Sequence, residues 1–281
     1  MSGSRPNLGD LAAAVRGLGI DRLYPEAEIA SLARSPMSEG TTPKSPAPKE
    51  RASQPVVRGY RRPEPEVVAE KAARLRALEE PLRSCEKCRL CESRTNLVYG
   101  VGNPDADLMF VGEGPGADED RQGEPFVGRA GKLLTDMIEK GMGLRRADVY
   151  IANVVKCRPP DNRTPEADEM AACAPNLLEQ VEIVAPRVIV TLGGVPARGF
   201  LGNKTGITRL RGTWLSHRGI PVMPTLHPAY LLRNPAAKKD SWEDLKQVIA
   251  FLNGEIDPRP EGEAHKRKEE REPEEPGSLF E

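Results

Sequence analysis

Between Val67 and Gly254 the apolar residues alternate between the spacing of strands and the spacing of helices. Four short apolar runs predict buried strands, namely Ala106–Gly112, Asp148–Val155, Arg187–Leu192 and Ile220–Leu226. Apolar positions three and four residues apart predict an opening helix around Val68 to Leu78, a helix over Gly128–Met142 and another from about Thr164 onward. Such alternation indicates an α/β domain with a mainly parallel sheet covered on both faces, whose active site lies at the carboxyl ends of the strands.

The residues near Thr164 indicate where this helix begins. Thr164 is a typical N-cap residue, and Pro165 suits the first helical position. The apolar positions that mark its buried face are Met170, Ala174, Leu177 and Val181.

The two ends of the chain lack these patterns. Ser35–Pro65 contains seven prolines and almost no large apolar residue, and the tail after Asp257 is rich in Glu, Lys, Arg and Pro. Segments that bury so little apolar surface cannot offset the entropy lost on ordering. We therefore expect a mostly disordered N-terminal extension over residues 1–66, a folded domain over 67–254 and a disordered acidic tail over 255–281.

Composition indicates the cellular environment of the protein and the state of its cysteines. No apolar run approaches the roughly 20 residues that span a bilayer, and the N-terminus lacks the layout of a signal peptide, so we expect a soluble, cytoplasmic protein. The chain has five cysteines. An odd number without an export signal disfavours a disulfide framework and favours metal ligation or free thiols.

The net charge of −1, from 41 Lys and Arg against 42 Asp and Glu, conceals an uneven distribution. The 57 residues between Glu182 and Asp240, here called the basic segment, hold no carboxylate and nine cations. From Glu255 to Glu281 ten acidic residues face five basic ones, which offsets the basic segment in the total. A long segment of one sign is what binding to a phosphate backbone requires. The nine cations are Arg187, Arg198, Lys204, Arg209, Arg211, Arg218, Arg233, Lys238 and Lys239.

A glycine-rich loop joins the first predicted strand to the following helix. It reads VGEGPGADEDRQGEPFVGRAG over residues 111–131, and glycines such as Gly112 and Gly114 let a ligand approach the backbone. The loop lacks the GxxxxGK[ST] and GxGxxG patterns and holds five carboxylates, which disfavours a nucleoside triphosphate. An acidic surface turn is the simpler interpretation, but Phe126 in so polar a loop indicates an aromatic face for stacking.

The cysteines form two groups along the chain. Cys85, Cys88 and Cys91 lie in the run CEKCRLC, and Cys157 and Cys173 follow with fifteen residues between them. Cys157 ends a predicted strand and Cys173 falls on the inward face of a helix, so both groups could converge on one metal. Zinc and an iron–sulfur cluster both accept four thiolates, and the spacing does not separate them.

His227 is the histidine with the most informative position. It lies in LHPAYLLRN, directly after a predicted strand and before a short helix, within the basic segment. Such a histidine could donate a hydrogen bond to a developing anion, or it could only cap the helix; the residues alone leave both interpretations open.

Four motifs taken together resemble the family 4 uracil-DNA glycosylases, the iron–sulfur branch of that superfamily. They are CEKCRLCESRTNLVYGVG (85–102), VGEGPGADEDRQGEPFVGRAG (111–131), IANVVKCRPPDNRTP (151–165) and LHPAYLLRN (226–234), and the resemblance covers about residues 80–253. It implies a three-layer α/β/α domain that flips deoxyuridine out of DNA and hydrolyses the bond between uracil and deoxyribose. A monomer is the default for such a base-flipping enzyme.

The resemblance implies a role for several pocket residues. Gly112 and Gly114 belong to the uracil-binding loop, Phe126 stacks under the flipped base, and Asn153 pairs with the uracil edge in a way that mismatches cytosine. Glu119 is similar to the group that crowds uracil C5 and rejects thymine.

The resemblance also implies the catalytic groups. His227 donates to O2 of the leaving uracil. Gly114 stands where the classical enzymes of the superfamily have a water-activating aspartate, so Glu113 is the candidate general base and Asn162 helps to hold the water.

Contacts to DNA follow from the same resemblance. Leu231, with Tyr230 and Arg233 beside it, is similar to the loop that fills the vacated base stack. The loop from Arg158 to Arg163 is expected near DNA phosphates.

For the metal, the resemblance implies a [4Fe–4S] cluster held by Cys85, Cys88, Cys157 and Cys173, with Cys91 spare. The cluster would join the N-terminal segment to the Arg158–Arg163 loop, a structural rather than a redox role.

Three other interpretations compete with this one. A relative that is trapped covalently on DNA carries an inserted basic loop after the glycine motif, and the chain has no insertion there. A metal-stabilised DNA-binding module without catalysis fits the cysteines and the basic segment, but not the combination of Phe126, Asn153 and His227. An older description of such sequences as polymerase-associated would concern a partner and not a reaction.

The last residues suggest one partner. Ser278, Leu279 and Phe280 end the acidic tail and resemble the end of the short peptides that bacterial sliding clamps bind, although the Gln that usually begins such a peptide is absent. A frayed terminus is the simpler interpretation.

Overall fold

The computed structural model describes residues 56–61, 64–201 and 205–258, with backbone only for residues 200 and 201. Six strands form one sheet: β1 (Val101–Gly102), β2 (Leu108–Gly112), β3 (Tyr150–Asn153), β4 (Val188–Leu192), β5 (Leu215–His217) and β6 (Ile220–Thr225). Their order across the sheet is β1-β3-β2-β4-β6-β5. The four inner strands are parallel, and β1 and β5 pair antiparallel at the two edges. The mainly parallel sheet expected from the sequence is confirmed.

The described helices connect and cover these strands. They are α1 (Pro65–Leu82), α2 (Ala117–Gln122), α3 (Arg129–Asp136), α4 (Ala167–Val184), α5 (Gly194–Leu201), α6 (Ile207–Leu210), α7 (Pro228–Arg233) and α8 (Lys238–Leu252). A π-helical turn, Met137–Met142, extends α3, and short 3₁₀ turns occur at Arg89–Cys91, Arg146–Asp148, Pro160–Asn162 and Pro235–Ala237.

The sheet separates two apolar cores, because successive strand side chains point to opposite faces. On β2, Met109 and Val111 belong to one core together with residues of α1 and α4. Leu108 and Phe110 belong to the other core, together with residues of α3 and α8. Every residue of β2, β3, β4 and β6 is buried, as expected for strands covered on both faces. The domain therefore has the expected three α/β/α layers.

The start of α4 differs from its predicted position. The helix begins at Ala167, and its N-cap is Glu166, not Thr164. The Glu169 carboxylate accepts a hydrogen bond from the Glu166 backbone N–H at 2.8 Å, which satisfies a free donor at the helix end. Thr164 instead bonds through its side chain to Glu113.

Residues 56–61, which the sequence analysis placed in the N-terminal extension, lie against the domain. Val57 and Tyr60 pack on the core that contains α8, and the Tyr60 hydroxyl donates to the Asp148 carbonyl and accepts from the Asp107 N–H. Arg61 forms an ion pair with the buried Asp107 carboxylate. The packing of Val57 and Tyr60, the two hydrogen bonds of the Tyr60 hydroxyl and the Arg61 ion pair together hold this short segment against the domain. The remainder of residues 1–55 and the tail after residue 258, including the proposed clamp peptide, lie outside the described residues.

No helix in the described part of the chain has both the length and the hydrophobicity needed to cross a membrane.

Candidate active site and cysteine cavity

The carboxyl ends of three parallel strands open into one pocket, here called the strand-end pocket. Gly112 ends β2, Asn153 ends β3, and His227 follows β6. Because the strands are parallel, their carboxyl ends lie at the same edge, where α/β proteins bind ligands. The candidate residues that line this pocket are Glu113, Gly114, Glu119, Phe126, Asn153, Asn162, Arg163, His227 and Arg233. Gly112, Arg158, Tyr230 and Leu231 are not among the lining residues.

Phe126 forms one wall of the strand-end pocket. Its φ of 55° lies in the left-handed region that a bulky residue rarely adopts. A Cβ atom on Gly131 would overlap the Phe126 carbonyl, and a Cβ atom on Gly112 would lie 2.6 Å from Phe126 Cζ. These two glycines therefore make room for the Phe126 ring and its unusual backbone. The ring centroid is 5.8 Å from that of His227, with 34° between the ring planes.

Asn153 presents an unpartnered polar atom at the pocket. The residue is 1% exposed, and its Oδ1 is buried without a hydrogen-bond partner in the described part of the protein. Leaving a buried acceptor unpaired costs about 1–3 kcal/mol, so this atom calls for a partner, and a molecule bound in the pocket could supply one. The Asn153 amide is thus free to pair with a bound molecule.

His227 is held in one tautomer. Its Nδ1 accepts a hydrogen bond from the Ala229 N–H at 3.1 Å, so the ring proton is on Nε2. Burial, assisted by the nearby Arg233 charge, lowers the pKa of His227 to about 4, while Glu119 opposes the shift. The imidazole is therefore neutral near pH 7 and acts as a donor through Nε2.

Glu113 is the partly buried carboxylate of the pocket. Burial raises the pKa of Glu113, and its hydrogen bond to the Thr164 side chain and the charge of Arg198 both oppose this shift. Next to it, a Cβ atom on Gly114 would lie 2.8 Å from Val155 Cγ2, so the loop backbone packs directly on the chain that follows β3. Glu113 combines access to the pocket with a raised pKa, as a general base requires.

Asn162 lies in a strained turn beside the pocket. Asp161 and Asn162 have φ values of 54° and 55°, and the Asn162 Oδ1 accepts a hydrogen bond from Arg158 Nε at 2.8 Å. The side-chain oxygen expected to hold water is thus already bonded to Arg158.

The Glu119 carboxylate forms hydrogen bonds with both ends of the glycine-rich loop. Its carboxylate accepts hydrogen bonds from the backbone N–H groups of Gly116, Val127 and Gly128, at 3.2, 3.1 and 2.9 Å. Although Glu119 lines the pocket, its carboxylate oxygens hold the two ends of the loop together. The discrimination against thymine stays a prediction for this residue.

The expectation for Leu231 does not fit its position. Leu231 is 1% exposed and packs with Leu226 and Ala237 in a small separate core, so in this structure its side chain points into the protein and not toward a DNA base stack. Its neighbours Tyr230 and Leu232 are each 41% exposed. Pro228 and Leu231 are the buried residues of α7, and their spacing of three puts them on one face of the helix, away from its outer side.

The two arginines of the loop after β3 have different environments. Arg163 donates to both Glu169 oxygens, at 2.8 and 2.6 Å, so its charge is neutralised within the protein. That ion pair, together with Arg89, lowers the pKa of Glu169 to about 2. Arg158 has no carboxylate partner among the described residues, which leaves it as the cation of this loop that can meet a phosphate.

The cations of the basic segment also fall into two groups. Arg187, Arg211 and Arg218 form ion pairs with Asp107, Asp244 and Glu182, so they support the fold. Among the described cations of the basic segment, those without an ion pair to a described carboxylate are Arg198, Arg209, Arg233, Lys238 and Lys239. Lys204 lies outside the described residues.

The five cysteines line a second cavity, here called the cysteine cavity. None of them is in a disulfide, and they share the cavity with three cations, Lys87, Arg94 and Lys156. The Arg94 guanidinium donates to Cys157 Sγ at 3.2 Å and to the Cys85 carbonyl at 3.0 Å. As placed, no group of three or more His, Cys, Asp or Glu side chains in the described ranges could hold a metal ion. The donor chemistry fits a thiolate-ligated centre, because the sulfurs face one cavity whose charged residues are cations.

Sequence reasoning did not single out three residues of these sites. Lys156 directly precedes Cys157 at the end of an apolar run, and a lysine in such a run was the available signal. Arg94 and Leu232 carried no signal, because their importance depends on which side chains the fold brings near them.

Comparison with known proteins gives a consistent result. The model of the uracil DNA glycosylase superfamily matches residues 99–246. The type-4 uracil-DNA glycosylase of Thermotoga maritima is 49% identical over 184 residues, which are 63% of this chain and 94% of that protein. The type-4 uracil-DNA glycosylase of Sulfurisphaera tokodaii is 48% identical over 182 residues, 62% of this chain and 83% of that protein. The type-4 enzyme of Saccharolobus solfataricus is 46% identical over 185 residues, 63% and 85% of the two chains.

Proposed function

The chain belongs to the uracil-DNA glycosylase superfamily, in its type-4 group, and we propose that its strand-end pocket is where it removes uracil from DNA. As a DNA glycosylase, it hydrolyses the N-glycosidic bond between uracil and deoxyribose and leaves an abasic site. The observation that carries the assignment of the pocket is the buried, unpartnered Asn153 Oδ1 beside the rings of Phe126 and His227.

Recognition begins with extrusion of the nucleotide. Enzymes that act on a base take it out of the stack, which costs a few kcal/mol and requires a pocket with a stacking surface. The Phe126 ring supplies that surface, and Gly112 leaves the space next to it.

Asn153 reads the extruded base. Its Oδ1 accepts from uracil N3–H while its Nδ2 donates to uracil O4. Cytosine has an unprotonated N3 and an amino group in place of O4, so it would leave both groups of Asn153 mismatched. The buried position of Asn153 makes that mismatch costly.

His227 stabilises the leaving group. As the glycosidic bond lengthens, negative charge develops on uracil, and the neutral imidazole donates from Nε2 to O2. The low pKa of His227 suits this task, because the ring gives a hydrogen bond without transferring its proton. Arg233, at the same pocket, adds positive charge.

Glu113 activates water on the sugar side. Its raised pKa makes the ionised carboxylate a stronger base than an exposed glutamate. Asn162 contributes by fixing the Arg158 side chain over the loop, and Arg158 in turn meets a DNA phosphate.

The exposed side of α7 fills the gap left in the DNA. Tyr230 and Leu232 are the large residues on this side, whereas Leu231 is buried on the opposite side, where it packs the helix against the protein. An apolar wedge between base steps is the usual device for holding a base outside the helix.

For the cysteine cavity we keep the [4Fe–4S] cluster as part of the proposal. Cys85, Cys88, Cys157 and Cys173 would hold it, with Cys91 as a spare thiol, and the cluster would supply a structural link between the N-terminal segment and the loop after β3. Support comes from the five free thiols at one cavity and from the cations that face them. Iron and sulfide near four per chain, retained in Cys91→Ser, are expected; one zinc per chain would contradict the cluster.

A cleavage assay tests the function directly. The purified protein is incubated with end-labelled DNA that carries one uracil, and strand breakage after alkali is compared with thymine and cytosine controls. We expect cleavage at uracil only, and loss of cleavage in Asn153→Leu, which has a similar shape but no amide. Arg218→Ala is the matched control, since its ion pair with Glu182 lies outside the pocket.

If a protein with its metal intact bound this DNA without cleaving it, the chain would be a DNA-binding module. The cytoplasmic location, the monomeric state and clamp binding through Ser278, Leu279 and Phe280 remain predictions.

A further inference from the structure

Lys156 is a buried lysine that has no acidic partner among the described residues. It is 1% exposed, and its ammonium group donates to the Asn153 carbonyl at 2.8 Å and to the Gln180 side-chain oxygen. The ammonium also lies 5.8 Å from the centroid of the Tyr99 ring. All of these partners are neutral. An unpaired buried charge is costly in a protein interior, so a counter-charge is expected nearby.

The open side of Lys156 faces the cysteine cavity. Lys156 lines this cavity together with Cys88, Cys157 and Cys173. Arg94 lines it as well, and the bonds of Arg94 go to Cys157 Sγ and to the carbonyls of Cys85 and Arg83, none of which is a carboxylate. The third cation, Lys87, is exposed to solvent and so carries no comparable cost.

We propose that Lys156 and Arg94 are the counter-charges of an anionic thiolate-ligated centre in the cysteine cavity, and that Lys156 ties this centre to Asn153. This inference rests on the proposed cofactor. Four thiolates outweigh the charge of an iron–sulfur core, so the ligated cluster is an anion. The two cations then gain the partners that the protein itself does not offer them.

The second half of the proposal follows from the bond to the Asn153 carbonyl. One ammonium group holds the backbone of the uracil-reading residue and faces the cysteine cavity. Gln180, the other acceptor, is itself bonded to the Tyr99 carbonyl and the Tyr150 hydroxyl, at 3.1 Å each. Lys156 is therefore a positioning residue, because it acts on substrate only through Asn153.

The experiment compares substitutions in the full chain purified with its metal. Lys156→Met removes the charge and keeps the length of the side chain, and Arg94→Gln removes the other charge at a partly exposed site. Arg94→Lys keeps the charge. Lys71→Met is the matched control, since Lys71 is a largely buried lysine that already has a carboxylate partner, Asp105.

The readouts are metal content, the rate of iron loss to a chelator, the midpoint potential of the cluster and the affinity for free uracil. We expect Lys156→Met and Arg94→Gln to lose iron about 10-fold faster, in the range that partners of metal ligands usually show. Their midpoint potentials should shift to more negative values, because an anion that has lost a neighbouring cation is harder to reduce. Arg94→Lys should restore both properties, and Lys71→Met should change neither.

Uracil affinity separates the two halves of the proposal. Lys156→Met should also bind free uracil more weakly, whereas Arg94→Gln, which does not touch Asn153, should bind it normally. If Lys156→Met is too unstable to purify, the metal and potential readouts of Arg94→Gln decide the counter-charge role.

Failure of this inference can be told apart from failure of the cofactor. A wild-type protein with zinc in place of iron would refute the cluster, and the counter-charge role would then be read from zinc retention in the same variants. A wild-type protein with its cluster, and variants with unchanged iron loss and potential, would overturn the inference while the cofactor stands.

Discussion

At the scale of single residues, the placement of two pocket residues, Asn153 and Phe126, depends on the absence of a side chain at Gly112. A Cβ atom there would clash with Asn153 Oδ1 and with the Phe126 ring. Gly112 has no positive φ, so the requirement is one of space and not of backbone conformation.

Gly112→Ala should therefore impair uracil binding. Overpacking forces neighbouring side chains out of their preferred positions, here Asn153 or Phe126, and a loss of about 1.4 kcal/mol in their interaction with uracil corresponds to a tenfold loss of affinity. We expect kcat/KM on uracil-containing DNA to fall at least tenfold. The control is Gly206→Ala, since no described residue other than its chain neighbours lies within 4 Å of a Cβ atom on Gly206. Unchanged kinetics in Gly112→Ala would mean that the close packing of Gly112 against Asn153 and Phe126 is not needed for uracil binding.

His227 gives a second prediction. His227→Ala should lower the single-turnover rate at least about 10²-fold, the scale of losing one hydrogen-bond donor to a developing anion. A rate within a few-fold of the wild type would contradict the leaving-group role.

The pH dependence of the cleavage rate should lack the step that a histidine with an ordinary pKa would produce. With a pKa of about 4, His227 is already in its neutral donor form above pH 5, so its ionisation should produce no step near pH 6.5. Because the pKa of Glu113 is raised and its ionised form is the base, an acid limb belongs to Glu113 and should vanish in Glu113→Gln. A step near pH 6.5 that persists in Glu113→Gln would contradict the low pKa of His227.

Individual positions differ in how far the sequence could predict them. Phe126, Asn153 and His227 were expected in one site because of the family resemblance, and the structure brings them to one pocket at the carboxyl ends of parallel strands. Glu119 and Arg163 were expected to face substrate or phosphate, but both are engaged within the protein, since hydrogen-bond partners depend on the course of loops that have no periodic pattern.

At the scale of elements, α7 shows how the phase of a short helix decides the role of its residues. The helix has six residues, and its buried face contains Pro228 and Leu231. The sequence motif identified the correct element, but its inward face could be assigned only once the packing against Leu226 and Ala237 was known.

Substitutions along α7 should therefore separate function from stability. Leu232→Ala should lower the rate on double-stranded substrate, where a base must be held out of the stack, and leave the melting temperature nearly unchanged. Leu231→Ala should lower the melting temperature, since deletion of a buried leucine side chain costs about 2–5 kcal/mol. Thermal unfolding and single-turnover kinetics on both variants check this. A large rate loss in Leu231→Ala with normal stability would restore the original assignment of the wedge.

Two possible N-caps compete at the start of α4, and this explains why the helix begins later than predicted. Thr164 and Pro165 match a common start signal, but the Glu166–Glu169 pair provides an alternative cap two residues later. Glu169 also receives Arg163 and Arg89, so three further donors favour the later start. A local signal could not reveal Arg89, which is distant in sequence.

At the scale of the whole molecule, the layered fold follows from the hydrophobic pattern, whereas the DNA-binding surface does not follow from charge alone. Three cations of the basic segment are used in ion pairs within the protein, and the unpaired ones include Lys238 and Lys239 at the start of α8, directly after α7 and its 3₁₀ turn. The length of the carboxylate-free segment therefore overstates the number of phosphate contacts.

The salt dependence of DNA affinity should measure the number of phosphate contacts. Each phosphate contact contributes about 0.9 to the slope of log K against log salt concentration. A variant with both Lys238→Ala and Lys239→Ala should show a shallower slope with an uncleavable uracil analogue in duplex DNA. Arg218→Ala, which loses a cation already paired with Glu182, should keep the slope of the wild type. Equal slopes in all three proteins would place the phosphate contacts elsewhere.

The contact of Asn253 with the first described residues bears on how this domain can be joined to others. Asn253 Nδ2 donates to the Val56 carbonyl at 3.1 Å, and its Oδ1 accepts from Arg58 and Gly59 N–H groups. Both ends of the described domain thus meet beside the amino ends of the strands, while the strand-end pocket opens at the carboxyl ends. A reporter or tether fused at either end would stand clear of DNA. A short flexible peptide that joined the two ends would also close the domain into a ring, from which circularly permuted versions with new ends could be cut.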